Sequence, residues 1–172
     1  MTHPLVLQLR FTRIEFQRGL EGLNDADAIQ RLDPMNCISW NIGHLAWQEQ
    51  RYWLQFMQSE NNILLPELNT NFRFGALAST PPLAEVQQAW NTIISASDPF
   101  LDTLTEADFL TDRTFQMGKR AWATSPGNLI QRTIYHYWYH NGENQAIRQM
   151  LRHGDLKVFV GNIDEEAPYR AA

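Results

Sequence analysis

The segment from Ser125 to Gly154 constrains the fold most. A cap-forming serine precedes Pro126, and proline suits a first helical position because its missing N–H is not needed there. Gly154 can close the far end in left-handed backbone. Between them Leu129, Thr133, His136, His140, Glu143, Ile147 and Met150 recur at alternating steps of four and three. That rhythm lays one stripe along one face of a long helix, and such a stripe normally faces a bundle core.

Three further helical stretches follow from apolar spacing and end signals. The first runs from about Pro4 to Leu23, with Gly22 and Asn24 at its end. The second begins after Asp33-Pro34 and reaches about Met57, before Asn61, Asn62 and Pro66. The third opens at Thr80-Pro81-Pro82, a capping residue followed by prolines, and extends to about Leu104. Its stripe is Leu83, Val86, Trp90, Ile93, Ser97, Phe100 and Leu104, and Pro99 within it should kink or split the helix. Four long helices with few strand signals predict an all-α four-helix bundle.

The second connection, Ser59 to Ser79, is long enough for a crossover. It reads either as a lid or pocket wall or as an ordinary span across the bundle. Residues Thr111 to Ala123, with Phe115-Gln116-Met117-Gly118-Lys119 inside, read as a short hairpin or an irregular loop. From about residue 155 the chain is expected to be an irregular tail with mobile last residues. Repeats and low-complexity segments are absent, and the 172 residues fit one domain with a real core.

Composition removes several classes of function. Charged residues make up 19%, yet no apolar run approaches the ~18–20 residues of a membrane span, so no membrane partner is expected. The net charge is -5 with Lys and Arg scattered, which argues against nucleic acid. Cys37 is the single cysteine, so no intrachain disulfide can form. Met1-Thr2-His3-Pro4-Leu5 does not open a secretory signal, and the expected location is cytoplasmic. Six Trp, five Tyr and nine Phe are many for this length; some should pack the core and some line a pocket.

Chemistry concentrates in two stripes. His136 and His140 stand four apart, so both imidazoles share a face and can share a small cation. The second helix carries Cys37, Trp40, His44, Trp47, Arg51 and Leu54 in the same rhythm. If the two helices face each other, His44 supplies a third ligand, a cross-helix arrangement that bundles support. The alternative is three core histidines satisfied by hydrogen bonds. Three buried imidazoles need partners for six ring nitrogens, and one divalent metal satisfies three at once. Imidazole suits Zn, Ni, Fe and Cu alike; Zn, Ni or Fe is expected here.

Glu143 can orient His140, accept a proton in catalysis or act as a fourth ligand. Arg51 can bind a substrate carboxylate or pair with Glu15 or Glu49. Trp40, Trp47, Phe72 and Phe74 are candidate pocket walls for a small-molecule substrate. Cys37 lies about 10 Å from His44 along a helix, too far to share the ion, and reads as a buried thiol. His3 is expected to be solvated, and His153 to interact with the end of the fourth helix.

The segments Ile38-Ser39-Trp40-Asn41-Ile42-Gly43-His44-Leu45-Ala46-Trp47-Gln48-Glu49 and His136-Tyr137-Trp138-Tyr139-His140-Asn141-Gly142-Glu143 resemble the two signatures of the DinB-like (DinB/YfiT) superfamily. The first carries a Gly-His-Leu step, the second a histidine pair followed by a small residue and Glu. The resemblance covers nearly the whole chain. It implies a bundle with a crossover connection, His44, His136 and His140 as ligands of one metal ion, and a homodimer. Related enzymes include transferases that use a low-molecular-weight thiol, so the resemblance points to a thiol (S-)transferase acting on small electrophiles. A metal-dependent hydrolase using activated water, and a non-enzymatic metal-binding or stress-response dimer, are the alternatives. The scaffold is implied far better than the reaction.

Overall fold

The computed structural model describes residues 2–59, 62–117 and 119–169. Asn61, Gly118 and the last three residues, on which parts of the expectations above fall, lie outside the described residues.

Four long helices form the bundle: α1 (Pro4–Gly19), α3 (Ile38–Glu49), α5 (Leu83–Leu101) and α7 (Pro126–Met150). Short helices fill the connections, α2 (Asp25–Ala28), α4 (Pro66–Asn71) and α6 (Glu106–Leu110), and a further one, α8 (Ile163–Glu166), lies in the tail. Helix α1 packs on α7, and α3 packs on both α5 and α7. The chain passes from α3 to α5 through the crossover that holds α4. Residues 111–124 resolve the open alternative as a hairpin: β1 (Arg113–Met117) and β2 (Arg120–Thr124) pair antiparallel, Phe115 opposite Trp122.

Local chemistry sets the boundaries. Ser125 caps α7 by accepting from the Asn128 N–H, with Pro126 at the first position as expected. Helix α1 stops at Gly19 rather than near Leu23, because Gly22 turns the chain with φ +72° and Asn24 caps the next helix instead. Helix α3 starts at Ile38, where Cys37 Sγ accepts from the Trp40 N–H. Thr80 does not cap α5; Pro82 occupies that position without a side-chain bond. Helix α5 runs through Pro99 to Leu101 and is not split, since proline this near a C-terminus removes only one bond of the last turns. Helix α7 ends at Met150, and Arg152 (φ 62°) rather than Gly154 takes the left-handed turn.

Helix α3 is not one-faced. All twelve of its residues are buried, so it forms the centre of the bundle and the stripe through His44 is one of several. After Glu49 it continues as a π-helical segment, Gln50–Phe56, with hydrogen bonds such as Met57 N–H to Tyr52 C=O at 3.1 Å. The change to i→i+5 bonding rotates everything beyond Glu49 relative to an α-helical continuation. On α7 the buried stripe includes Leu129, Thr133, Tyr137, His140, Asn144 and Ile147, with His136 and Glu143 on its flank. Met150, expected on the stripe, is exposed.

A buried polar network locks the register of the four helices. Arg13 on α1 donates to both oxygens of Glu49 on α3, at 2.8 and 2.7 Å. Tyr137 on α7 donates to Glu49 at 2.9 Å, and Trp90 on α5 donates to Tyr137 at 2.6 Å. Such an ion pair adds little net stability, since desolvation offsets attraction, but leaving either charge unpaired costs about 3–5 kcal/mol. Any rotation of α7 against α3 would do that. The apolar core around it includes Phe16, Ile42, Leu45, Trp53, Ile93 and Leu129, all fully buried. Each contributes about 1.5–3 kcal/mol by leaving water.

The tail follows α1 rather than hanging free. Arg18 donates to the Val158 carbonyl at 2.7 Å, Gly161 N–H donates to Glu15, and Gln8 donates to the Ala167 carbonyl.

Candidate metal centre

Helices α3 and α7 run antiparallel, and their contacts form ordered rungs. At one end Asn41 donates to Glu143 Oε2 at 3.0 Å and to Asn144 at 2.9 Å. In the middle His44 meets His136 and His140, with ring centroids 5.0 and 5.4 Å apart. The three histidines that the sequence singled out therefore come together, with one ligand nitrogen from each lying within 4.8 Å of the others. His44 and His140 are buried and His136 is half-buried.

Their outward nitrogens fix the inward ones. His44 Nδ1 lies 2.6 Å from the Phe72 carbonyl, which can only accept, so Nδ1 carries the proton and Nε2 the lone pair. His140 Nδ1 lies 2.7 Å from Glu143 Oε2, and the same argument applies. His140 Nε2 then faces His136 Nε2 at 3.0 Å. Metal–imidazole bonds of about 2.0–2.1 Å put two nitrogens on one ion roughly 3–3.4 Å apart, so this spacing suits a shared cation. His136 Nδ1 is buried and has no hydrogen-bond partner among the described residues.

Electrostatics favours neutral rings. Burial lowers the His44 pKa to about 4, a drop the Phe72 hydrogen bond opposes and the neighbouring His140 reinforces. Burial, then His140 and His44, lower that of His136 to about 3. Both are neutral at physiological pH with lone pairs free to ligate, and the three can hold a metal ion.

Aromatic walls surround the triad. His44 is stacked between Trp40 and Trp47, at 4.9 and 5.2 Å between centroids. The crossover supplies the rest: Phe72 gives its carbonyl, and Asn69 accepts from Trp47 Nε1 at 3.1 Å. It is thus a wall of the site as well as a span. Gly43 lets this wall approach, because a Cβ there would collide with the Phe72 ring.

Other expectations are corrected. Phe74 is 88% exposed and lines an outer cavity together with Trp47 and Arg51. Arg51 pairs with neither Glu15 nor Glu49, which are taken by Arg18 and Arg13; its guanidinium lies over the Trp47 and Phe56 rings. His3 is not merely solvated: it caps α1 through the Leu5 N–H, stacks on Phe109 and contacts Glu106 at 2.8 Å. His153 meets the end of α7 as expected, accepting from Arg148, and also contacts Asp27. Cys37 is buried, away from the triad, in agreement with its reading as a thiol outside the site.

Sequence reasoning missed Asn41 and the Phe72 carbonyl. Asn41 sits one turn before His44, a spacing that could have flagged it. A backbone acceptor leaves no signal in a side-chain pattern.

The DinB superfamily model matches residues 8–143, which span both histidine segments. The chain belongs to the DinB superfamily. Its helical architecture, with one two-stranded sheet among the described residues, is that of a DinB-like bundle. Comparison of this DinB protein with curated proteins finds no match. No helix among its described residues is long and apolar enough to cross a membrane.

Proposed function

We propose that the protein is a metal-dependent thiol (S-)transferase acting on small electrophiles, with His44, His136 and His140 holding one divalent ion, Zn, Ni or Fe. The observation that carries the metal assignment is the outward anchoring of two rings, His44 by Phe72 and His140 by Glu143, which turns both Nε2 lone pairs inward. A divalent ion in such a site supplies Lewis acidity, making the thiolate form of a low-molecular-weight thiol accessible at neutral pH. Three neutral imidazoles leave that charge undiminished. Glu143 keeps the proton on His140 Nδ1, and Phe72 keeps it on His44 Nδ1. Trp40 and Trp47 exclude water from the face of His44 and offer aromatic contact to an electrophile.

The thiol step itself rests on the superfamily's known chemistries rather than on a residue. Hydrolysis with Glu143 as base is the second reading: Oε2 accepts from His140 and Asn41, so Oε1 would take the proton. We also propose a homodimer, which sedimentation velocity would test.

The deciding experiment replaces His136 with Ala and measures bound metal by elemental analysis alongside conjugation of a thiol to a model electrophile. Loss of metal and of conjugation together supports the reading. Unchanged metal content refutes the ligand set, and turnover without thiol favours hydrolysis. Chelation of the wild type separates the non-enzymatic clamp: a structural ion should carry much of the folding free energy, so its removal would lower Tm sharply.

A further inference from the structure

Beyond the triad, away from Asn41, the π-helical segment, α7 and the hairpin surround a second cavity. Arg51 and Tyr52 on the π-helical segment, Arg132 on α7, and Arg120 and Trp122 on β2 line a cavity of about 470 Å³. Three arginines thus line one cavity in a chain whose net charge is -5. No aspartate or glutamate is among the described residues that line it. None of the three makes an ion pair with a described residue, whereas Arg10, Arg13, Arg18, Arg31 and Arg113 all do.

Their placement is built. Arg51 lies over Trp47 at 5.2 Å and over Phe56 at 5.0 Å, and Arg132 lies over Trp122 at 5.8 Å. Aromatic faces hold each of these two cations while leaving the N–H edges for another partner. The hairpin that brings Arg120 is fastened to the π segment by Phe115, stacked on Phe56 at 4.9 Å. Like charges are costly to gather, and a protein that gathers three without an internal acid has a place for an anion.

Trp47 links the cavity to the metal centre, since it stacks on His44 and also lies under Arg51. Arg51 stands seven residues beyond His44, about 10 Å of helical rise, and Arg132 four residues before His136, about 6 Å.

We propose that this arginine cavity binds the oxyanion end, carboxylate or phosphate, of a small molecule whose reacting atom lies at the three-histidine centre. The inference rests on that centre being the reaction site, and it adds the substrate class: a small molecule that carries a carboxylate or phosphate group apart from its reacting atom. Planar guanidinium forks suit either oxyanion, and the two sources are separable in solution.

The test titrates the metal-loaded full chain with succinate, with methyl phosphate and with neutral succinamide, by calorimetry. The same titrations use Arg51→Gln, the exposed-site variant Arg132→Gln, and Arg31→Gln as a control in a distant ion pair. Bound metal is measured on every sample. At least one anion should bind wild type while succinamide does not. Binding should weaken about tenfold or more in Arg51→Gln and Arg132→Gln, as expected for losing a charge-assisted contact, and stay unchanged in Arg31→Gln. Preference for succinate or for methyl phosphate names the source. If neither anion binds, or if binding survives in both Arg51→Gln and Arg132→Gln, the proposal is overturned. His136→Ala keeps the two readings apart: anion binding that persists while metal is lost leaves the arginine site standing. Anion binding that disappears with the metal, yet survives both arginine replacements, assigns the anion to the metal and overturns the arginine site.

Discussion

Replacing Glu143 tests the outer anchoring of the centre without removing a ligand. Its Oε2 accepts from His140 Nδ1 at 2.7 Å and from Asn41 Nδ2 at 3.0 Å. Glu143→Ala leaves His140 free to move its proton to Nε2, which would take the lone pair away from the ion. It also removes a negative charge from beside a cation. Loss of such an outer acceptor typically weakens metal binding by about 10–100-fold, equivalent to ~1.4–2.7 kcal/mol. Glu143→Gln keeps an acceptor oxygen but not the charge, so its loss should be about tenfold, at the lower end. Glu143 is half-buried and lies off the apolar core, so Tm of the metal-free protein should change little. Competition against a fluorescent zinc chelator measures the affinities, with His136→Ala as the ligand-loss reference. Zinc affinity within twofold of wild type in Glu143→Ala would refute the tautomer argument, whatever the fate of the triad.

Gly43→Ala should destabilise by about 1–3 kcal/mol, because its Cβ meets the Phe72 ring in a filled core; urea unfolding at neutral pH checks this. The metal-free protein should lose stability as pH falls from about 6.5 toward 4. The folded pKa values of His44, about 4, and His136, about 3, lie below the unfolded value of 6.5. In that window the unfolded chain takes up protons that the native one refuses, so stability is full above pH 6.5 and falls below it. Thermal melts of chelated protein across pH 5–8 should show this, with a shallower slope in His136→Gln; a flat profile would contradict it.

The helical bundle and the histidine triad were legible because both live in side-chain spacing. A stripe at alternating threes and fours reports which residues share a face, and it placed His136 and His140 together without knowledge of a partner. Its resolution stops at the stripe. It took Met150 for a core residue, because a pattern cannot tell where the bundle ends. It counted to Arg51 in α-helical steps and could not foresee the change to i→i+5 bonding after Glu49. It treated α3 as one-faced, whereas a central helix buries its polar residues too, among them Asn41, Gln48 and Glu49. Spacing left Glu143 three roles, and the convergence of His140 Nδ1 and Asn41 Nδ2 on one of its oxygens is a contact across helices that spacing does not report. Phe72 entered as a ring and matters as a carbonyl, a group every residue possesses.

That carbonyl has a thermodynamic consequence. The crossover holds the proton of His44 on Nδ1, and whatever occupies Nε2 strengthens that same hydrogen bond. Linkage makes the effect reciprocal: a cation bound by His44 stabilises the ordered crossover by the factor by which the ordered crossover tightens the cation. The path from α3 to α5 is therefore a reporter of occupancy. Protection of its amides from hydrogen exchange, around Leu68 and Phe72, should rise with loading although none of its own side chains is among the three imidazoles.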